Sequence, residues 1–158
     1  MTARYPESRT AMLVGSFSPF TVGHLDLLMR GLSMFDRVIV ARGRNINKPL
    51  PESLQRQDLA ALLAPLSPRI EVVEWDGLTV DGARHFGAGV LLRGVRSAAD
   101  YEYERGMADV NRQLAGLETV LLVARPELAS VSSSLVRELA SFGYDVSSYL
   151  PDPDKIKL

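Results

Sequence analysis

Five short apolar runs recur along the chain, and each pair is separated by a segment with helical periodicity. The runs are Met12 to Val14, Val38 to Ala41, Ile70 to Trp75, Val90 to Leu92 and Thr119 to Ala124. After the first, Leu25, Leu28, Met29 and Leu32 fall at i, i+3, i+4 and i+7, which predicts a helix over Gly23 to Phe35. Leu59, Leu62, Leu63 and Leu66 mark a second helix, which Pro65 and Pro68 predict to stop early. Val80 to Phe86 predicts a short third helix, and Tyr103, Met107, Val110 and Leu114 the apolar stripe of a long fourth. Ser134 to Phe142 predicts a fifth, ended by Gly143, and Asp145 to Leu150 a last helical turn before Pro151. Strands joined by helical crossovers run parallel, with helices on both faces. The expectation is one α/β domain over residues 11–158, built on a five-stranded parallel sheet.

Composition narrows the function. The chain has 158 residues, enough for one real core, of which 46% are apolar and 23% charged. No apolar run approaches the length needed to cross a bilayer. Met1 to Thr10 are polar, are expected to form a flexible tail, and lack the apolar stretch of a secretory signal. There is no cysteine, which excludes disulfides, thiolate nucleophiles and thiolate metal sites. A reducing cytoplasm is the simplest home. The net charge of −1 gives no reason to expect nucleic-acid or membrane binding. Anion recognition must be local.

A parallel α/β sheet binds ligands beyond the carboxyl ends of its strands. After the first run come Gly15 to Pro19 and then Thr21-Val22-Gly23-His24; after the second, Arg42, Arg44, Asn47 and Lys48. Leu78 and Thr79 follow the third, Arg93-Gly94-Val95-Arg96 the fourth, and Ser132-Ser133-Ser134 the fifth. Four of the five ends thus carry cations, a histidine or several hydroxyls. That clustering suits a multiply charged anion.

Gly23 leaves a helix start open to a ligand, and His24 sits in the first turn, where unpaired N–H groups and the dipole favour anions. A histidine there can equally well cap or pack. His85 is the comparison, with no such surroundings, and is expected to be surface or structural. The three serines offer a second anion cradle, though one serine would serve as an ordinary N-cap. Arg93 and Arg96 flank Gly94, which is expected to turn the chain off the strand, and arginine matches phosphate bidentately. Either arginine alone can also be a solvated surface residue. Lys48 is a loop cation. Glu102 and Glu104 lie two apart and point different ways on a helix, so they make a poor catalytic pair. No Asp/Glu/His spacing marks a dedicated metal site.

Gly15-Ser16-Phe17, Thr21-Val22-Gly23-His24, Arg93-Gly94-Val95-Arg96, Asp100-Tyr101-Glu102-Tyr103-Glu104, Asn111 and Val131-Ser132-Ser133-Ser134 together resemble phosphopantetheine adenylyltransferases. The match runs in order from about Met12 to Pro151. The resemblance implies a Rossmann-like fold and transfer of AMP from ATP to 4'-phosphopantetheine, giving dephospho-coenzyme A and pyrophosphate. It also implies Mg²⁺ accompanying the nucleotide and a homohexamer. Ser16 and Phe17 would lie on the nucleotide, Ser16 also touching the acceptor phosphate. His24 would stabilise the transition state on ATP, Lys48 and Arg93 would hold the acceptor phosphate, and Thr79 would meet the pantetheine arm by its backbone. Gly94, Val95, Arg96, Glu104, Leu128, Ala129, Ser130, Val131, Ser132, Ser133 and Ser134 would hold ATP. Val14 and Ser18 depart from the family's usual proline and aspartate. They keep open transfer to another phosphorylated acceptor, or a diverged nucleotide-binding protein without turnover.

Overall fold

The structure, a computed structural model, describes residues 9–44, 50–51, 54 and 57–156. Five strands form one sheet: β1 (Thr10–Gly15), β2 (Arg37–Arg42), β3 (Ile70–Glu74), β4 (Val90–Val95) and β5 (Glu118–Val123). Their order is β3-β2-β1-β4-β5, and every neighbouring pair is parallel. The helices are α1 (Val22–Met34), α2 (Leu59–Leu63), α3 (Thr79–Phe86), α4 (Ala98–Ala115) and α5 (Ser133–Ser141). The chain builds β2 and β3 on one side of β1, then crosses to lay β4 and β5 on the other. The order reverses between β1 and β4, where an open α/β sheet leaves its crevice.

Period-two alternation sends each strand's side chains to both faces. Ala11, Leu13, Val38, Val40 and Leu92 point to one face, where Leu28 and Leu32 of α1 and Leu59 and Leu63 of α2 cover them. Met12, Ile39, Ala41 and Leu91 point to the other, against Val80 and Ala83 of α3. Gly31 brings α1 close to the sheet, since a Cβ there would lie 2.5 Å from Leu92 Cδ2. A third cluster joins Leu54, Val136, Ala140 and Val146. Among the described residues, no helix is long and apolar enough to cross a membrane.

The elements follow the expected periodicity, with two differences. Thr10, expected in a tail, is buried as the first residue of β1, and the Arg9 N–H donates to Asp36 Oδ2 at 2.8 Å. Pairing with β2 begins there, at Thr10 opposite Arg37, so the strand starts where its partner does. As Pro65 and Pro68 predict, the second helix stops early, at Leu63, and tightens into a 3₁₀ turn, Ala64–Leu66, around Pro65. The stripe Tyr103, Met107, Val110 and Leu114 is not packed on the sheet but stands 41–66% exposed. Glu104 and Asn111, seven residues apart, are the buried pair of α4. The helix turns its polar edge inward because Glu104 is held by a cation of β4.

Candidate active site

The first site element is the loop from β1 into α1. Thr21 caps α1: its Oγ1 accepts from the His24 N–H at 3.4 Å, and its own N–H donates to His24 Nδ1 at 2.9 Å. This is a capping box in which histidine fills the place usually held by Glu or Gln. Because Nδ1 accepts, the ring proton resides on Nε2. Phe17 and Phe20 pack on the imidazole at centroid distances of 5.0 and 5.3 Å. Burial first, then the charges of Arg93 and Arg96, lower the His24 pKa from 6.5 to about 4. At neutral pH the ring is an uncharged donor. Gly15 permits this packing, since a Cβ on it would meet the Phe17 ring at 3.0 Å. Phe17 itself sits at φ 45°, a left-handed conformation that costs a non-glycine residue energy.

Arg93 is the second element. It lies within β4, which continues to Val95 because Gly94 and Val95 pair with Leu122 and Val123 of β5. Gly94 therefore does not turn the chain, contrary to expectation. Its missing side chain admits Leu27 of α1, whose Cδ2 would lie 3.3 Å from a Cβ. Arg93 donates from Nε to Glu104 Oε2 at 3.0 Å and from Nη2 to Oε1 at 2.7 Å. Its Nη1 also donates to the Val14 carbonyl. A guanidinium has five N–H donors, so two remain for a ligand. Arg96 binds the Val131 carbonyl at 3.1 Å and Asp100 at 3.4 Å.

The serines behave differently from the cradle expected of their hydroxyls. Ser132 is the N-cap of α5, its Oγ accepting from the Leu135 N–H at 3.1 Å. Ser133 Oγ donates to the Pro19 carbonyl at 2.7 Å, and Ser134 Oγ accepts from Arg137 at 3.2 Å. All three hydroxyls thus tie protein to protein. What α5 offers a ligand is its first N–H groups, which no helical carbonyl reaches.

These parts enclose a cavity of about 360 Å³ between β1 and β4. It gathers the expected Ser16, Phe17, His24, Arg93, Gly94, Arg96, Glu104, Leu128 and Val131 to Ser134. Val95, Ala129, Ser130 and Thr79 do not line it. Val95 is buried at the end of β4 and Thr79 opens α3. Lys48 lies outside the described residues. Arg42 and Arg44, expected at the site, are engaged instead by Glu74 and Asp76 at the end of β3. His85 stacks on Trp75 at 5.6 Å, a packing role as expected.

Asp26 and Arg30 line the cavity without having been singled out in the sequence, and Asp100, quoted there only as part of a motif, lines it as well. Asp26 binds Arg30 at 3.2 Å and Arg125 at 2.7 Å, and Arg30 also holds the Val123 carbonyl at 2.9 Å. Only the i,i+4 spacing of Asp26 and Arg30 was available as a signal. The lining holds three arginines against Asp26, Asp100 and Glu104, each arginine paired. Side-chain charge alone therefore does not make the cavity positive. The helix N-termini of α1 and α5 and the spare arginine donors do. Among the described residues, no group of three or more His, Cys, Asp or Glu is placed to hold a metal.

Known proteins match this arrangement. Residues 12–139 match the cytidylyltransferase-like family. The phosphopantetheine adenylyltransferase of Porphyromonas gingivalis is 50% identical over 143 residues, covering 90% of this chain and 94% of that protein. The chain belongs to the phosphopantetheine adenylyltransferase family. The enzyme of the same name from Phocaeicola vulgatus is 44% identical over 150 residues, covering 94% of this chain and 99% of that one. The fold has wider company. A Francisella tularensis bifunctional NMN adenylyltransferase/ADP ribose pyrophosphatase, complexed with AMP and a manganese ion, superposes with a TM-score of 0.63 at 14% identity. That likeness covers 93% of this chain, which spans about half (46%) of the length of that protein.

Proposed function

We propose that this chain transfers AMP from ATP to 4'-phosphopantetheine, releasing pyrophosphate and dephospho-coenzyme A. The observation that carries the reading is His24, a neutral imidazole with its proton on Nε2, lining the same cavity as Arg93 and two helix N-termini. The acceptor phosphate oxygen attacks the α-phosphorus in line. The bond from that phosphorus to the bridging oxygen breaks, and its electron pair leaves on pyrophosphate. The nucleophile is already an anion at neutral pH, so no base is needed. The barrier lies in bringing like charges together and spreading the charge that develops. His24 donates from Nε2 to the α-phosphate, the two spare donors of Arg93 face the acceptor phosphate, and the first N–H groups of α5 hold the triphosphate. Mg²⁺ would enter as part of the nucleotide substrate and neutralise charge on its phosphates.

The same reading places the chain in the cytoplasm and in a homohexamer. The exposed stripe Tyr103, Met107, Val110 and Leu114 supports contact with another copy. Light scattering on the purified protein tests this, and a monomer overturns it. The experiment for the activity is pyrophosphate release from ATP across a panel of phosphorylated acceptors. Release with phosphopantetheine well above the rest supports the reading. Preference for another acceptor, or ATP binding with no release, overturns it.

A further inference from the structure

Gln57, just before α2, reaches across to the loop that carries His24. Its side-chain Oε1 accepts from the Phe20 N–H at 2.8 Å, and its Nε2 donates to the Phe20 carbonyl at 3.1 Å. One amide side chain thus satisfies both main-chain groups of one residue, as a neighbouring strand would. Gln57 is itself fixed, because Arg42 donates to its carbonyl at 3.1 Å. Arg42 is anchored in turn on Glu74, from Nε at 2.9 Å and Nη2 at 2.7 Å. A continuous chain of bonds therefore runs from the ends of β2 and β3 to Phe20.

Phe20 is the residue through which this chain meets the reacting group. Its ring is fully buried and packs on both Phe17 and His24, each at 5.3 Å. Its carbonyl precedes the Thr21 N–H that fixes His24 Nδ1. The peptide joining Phe20 to Thr21 is thus held on one side by Gln57 and holds the imidazole on the other. Phe20 has no sheet neighbour, and its partly buried N–H and carbonyl require partners.

We propose that Gln57 is a positioning residue that sets the orientation of the His24 imidazole through the main chain of Phe20. The inference rests on the reading of His24 as donor to the α-phosphate. Gln57 need not touch substrate. It acts by fixing a peptide plane, and misplacing a reacting group by about 1 Å costs rate on the scale of a hundredfold.

Gln57→Met keeps the side-chain length and removes both bonds, and it is compared in the wild-type and His24→Ala backgrounds. In the wild-type background kcat falls roughly ten- to a hundredfold, while KM for ATP changes by no more than about threefold. In the His24→Ala background the substitution costs nothing further, because the group it positions is gone. Equal losses in both backgrounds overturn the proposal. The two histidines of the chain, His24 and His85, allow a second readout by NMR titration. Gln57→Met should raise the His24 midpoint from about 4 towards 6.5, as its burial beside Arg93 and Arg96 loosens. The ring resonances of Trp75, on which His85 stacks, should keep their chemical shifts and so report an intact fold. An unchanged His24 midpoint overturns the proposal. Should Gln57→Met fail to fold, Gln57→Glu keeps the acceptor for the Phe20 N–H and loses only the donor, and it is carried through the same backgrounds. If His24→Ala alone leaves turnover unchanged, the reading of His24 has failed, and the titration still decides whether Gln57 orients the ring.

Discussion

The main-chain N–H of Thr21 donates to Nδ1 of His24 at 2.9 Å, and this one bond settles which ring nitrogen can serve a ligand. Nδ1 is occupied within the cap, so Nε2 carries the proton. A helix cap and an active-site donor are one device here. The cap would otherwise be about 1 kcal/mol of stability at a helix end; coupled to the cavity, it holds a tautomer.

The first prediction is a pH dependence. Burial, reinforced by Arg93 and Arg96, lowers the His24 pKa to about 4, so the folded chain binds its proton less readily than the unfolded chain does. That contribution to stability is complete above the ordinary value of 6.5 and is lost as pH falls to about 4. Its full size is on the order of 3 kcal/mol. Urea titrations at pH 7, 5.5 and 4.5 should show a falling midpoint that His24→Gln largely removes. Turnover, meanwhile, should show no step near pH 6.5 beyond that of the acceptor phosphate, whose second ionisation lies at about 6 and persists in His24→Gln. An acid limb in kcat that His24→Gln removes would mean that the imidazole titrates normally.

The second prediction concerns His24→Ala. Losing one transition-state donor costs about 10²- to 10³-fold in turnover. Affinity for ATP should change far less, because the donor is aimed at charge that develops during reaction. Single-turnover rates and equilibrium ATP binding, measured on the same preparation, separate the two. A turnover within a few fold of wild type removes the assigned role.

A third prediction separates what Arg93 does for the fold from what it does for a ligand. Glu104 is buried, and both its oxygens accept from Arg93. Arg93→Ala would strand that carboxylate, at a cost of about 3 to 5 kcal/mol. Arg93→Ala combined with Glu104→Gln should recover much of the stability, since no buried charge is left. Affinity for the phosphorylated acceptor should stay low in both, and unphosphorylated pantetheine should hardly notice either. Recovery of acceptor binding along with stability would show that Arg93 is structural only.

How far the sequence disclosed this molecule differs between its two levels. Strands and helices were legible because periodicities of two and 3.6 directly reflect which face is buried, as Leu13 and Met12 show by pointing to opposite faces. Periodicity does not say what covers a face: the stripe that marks α4 in the sequence stands exposed, while Glu104 and Asn111 are buried. At the site, residue type and strand-end position located Arg93, His24 and the serines. Partners were not legible, because they come from distant segments: Glu104 takes Arg93, Pro19 takes Ser133, and Glu74 takes Arg42. Of the cradle expected from the serines, the hydroxyls cap α5, tie down Pro19 and meet Arg137, which leaves the backbone N–H groups for a phosphate. Asp26 and Gln57 escaped notice because nothing local distinguishes an acid or an amide that will find its partners across the fold.

The last prediction uses Gly23, where a structural and a functional reason for glycine give opposite results. The nearest atoms that a Cβ added there would meet are Thr21 Oγ1 at 3.5 Å and the Val131 carbonyl oxygen at 3.9 Å, which is ordinary contact. The residue lies in the first turn of α1 and shows no left-handed backbone, so alanine fits the helix. Alanine also loses less conformational entropy on folding, so Gly23→Ala should leave stability unchanged or raise it by about 0.5 to 1 kcal/mol. Gly23 nevertheless lines the cavity beside His24. An added methyl would occupy space that a phosphate needs against the helix N-terminus. Nucleotide affinity should therefore fall at least about tenfold, equivalent to 1.4 kcal/mol, while the thermal midpoint holds or rises. Thermal unfolding and ATP binding by calorimetry on the one variant decide between the two reasons. Lower stability with unchanged affinity would assign this glycine to packing and move the triphosphate away from the start of α1.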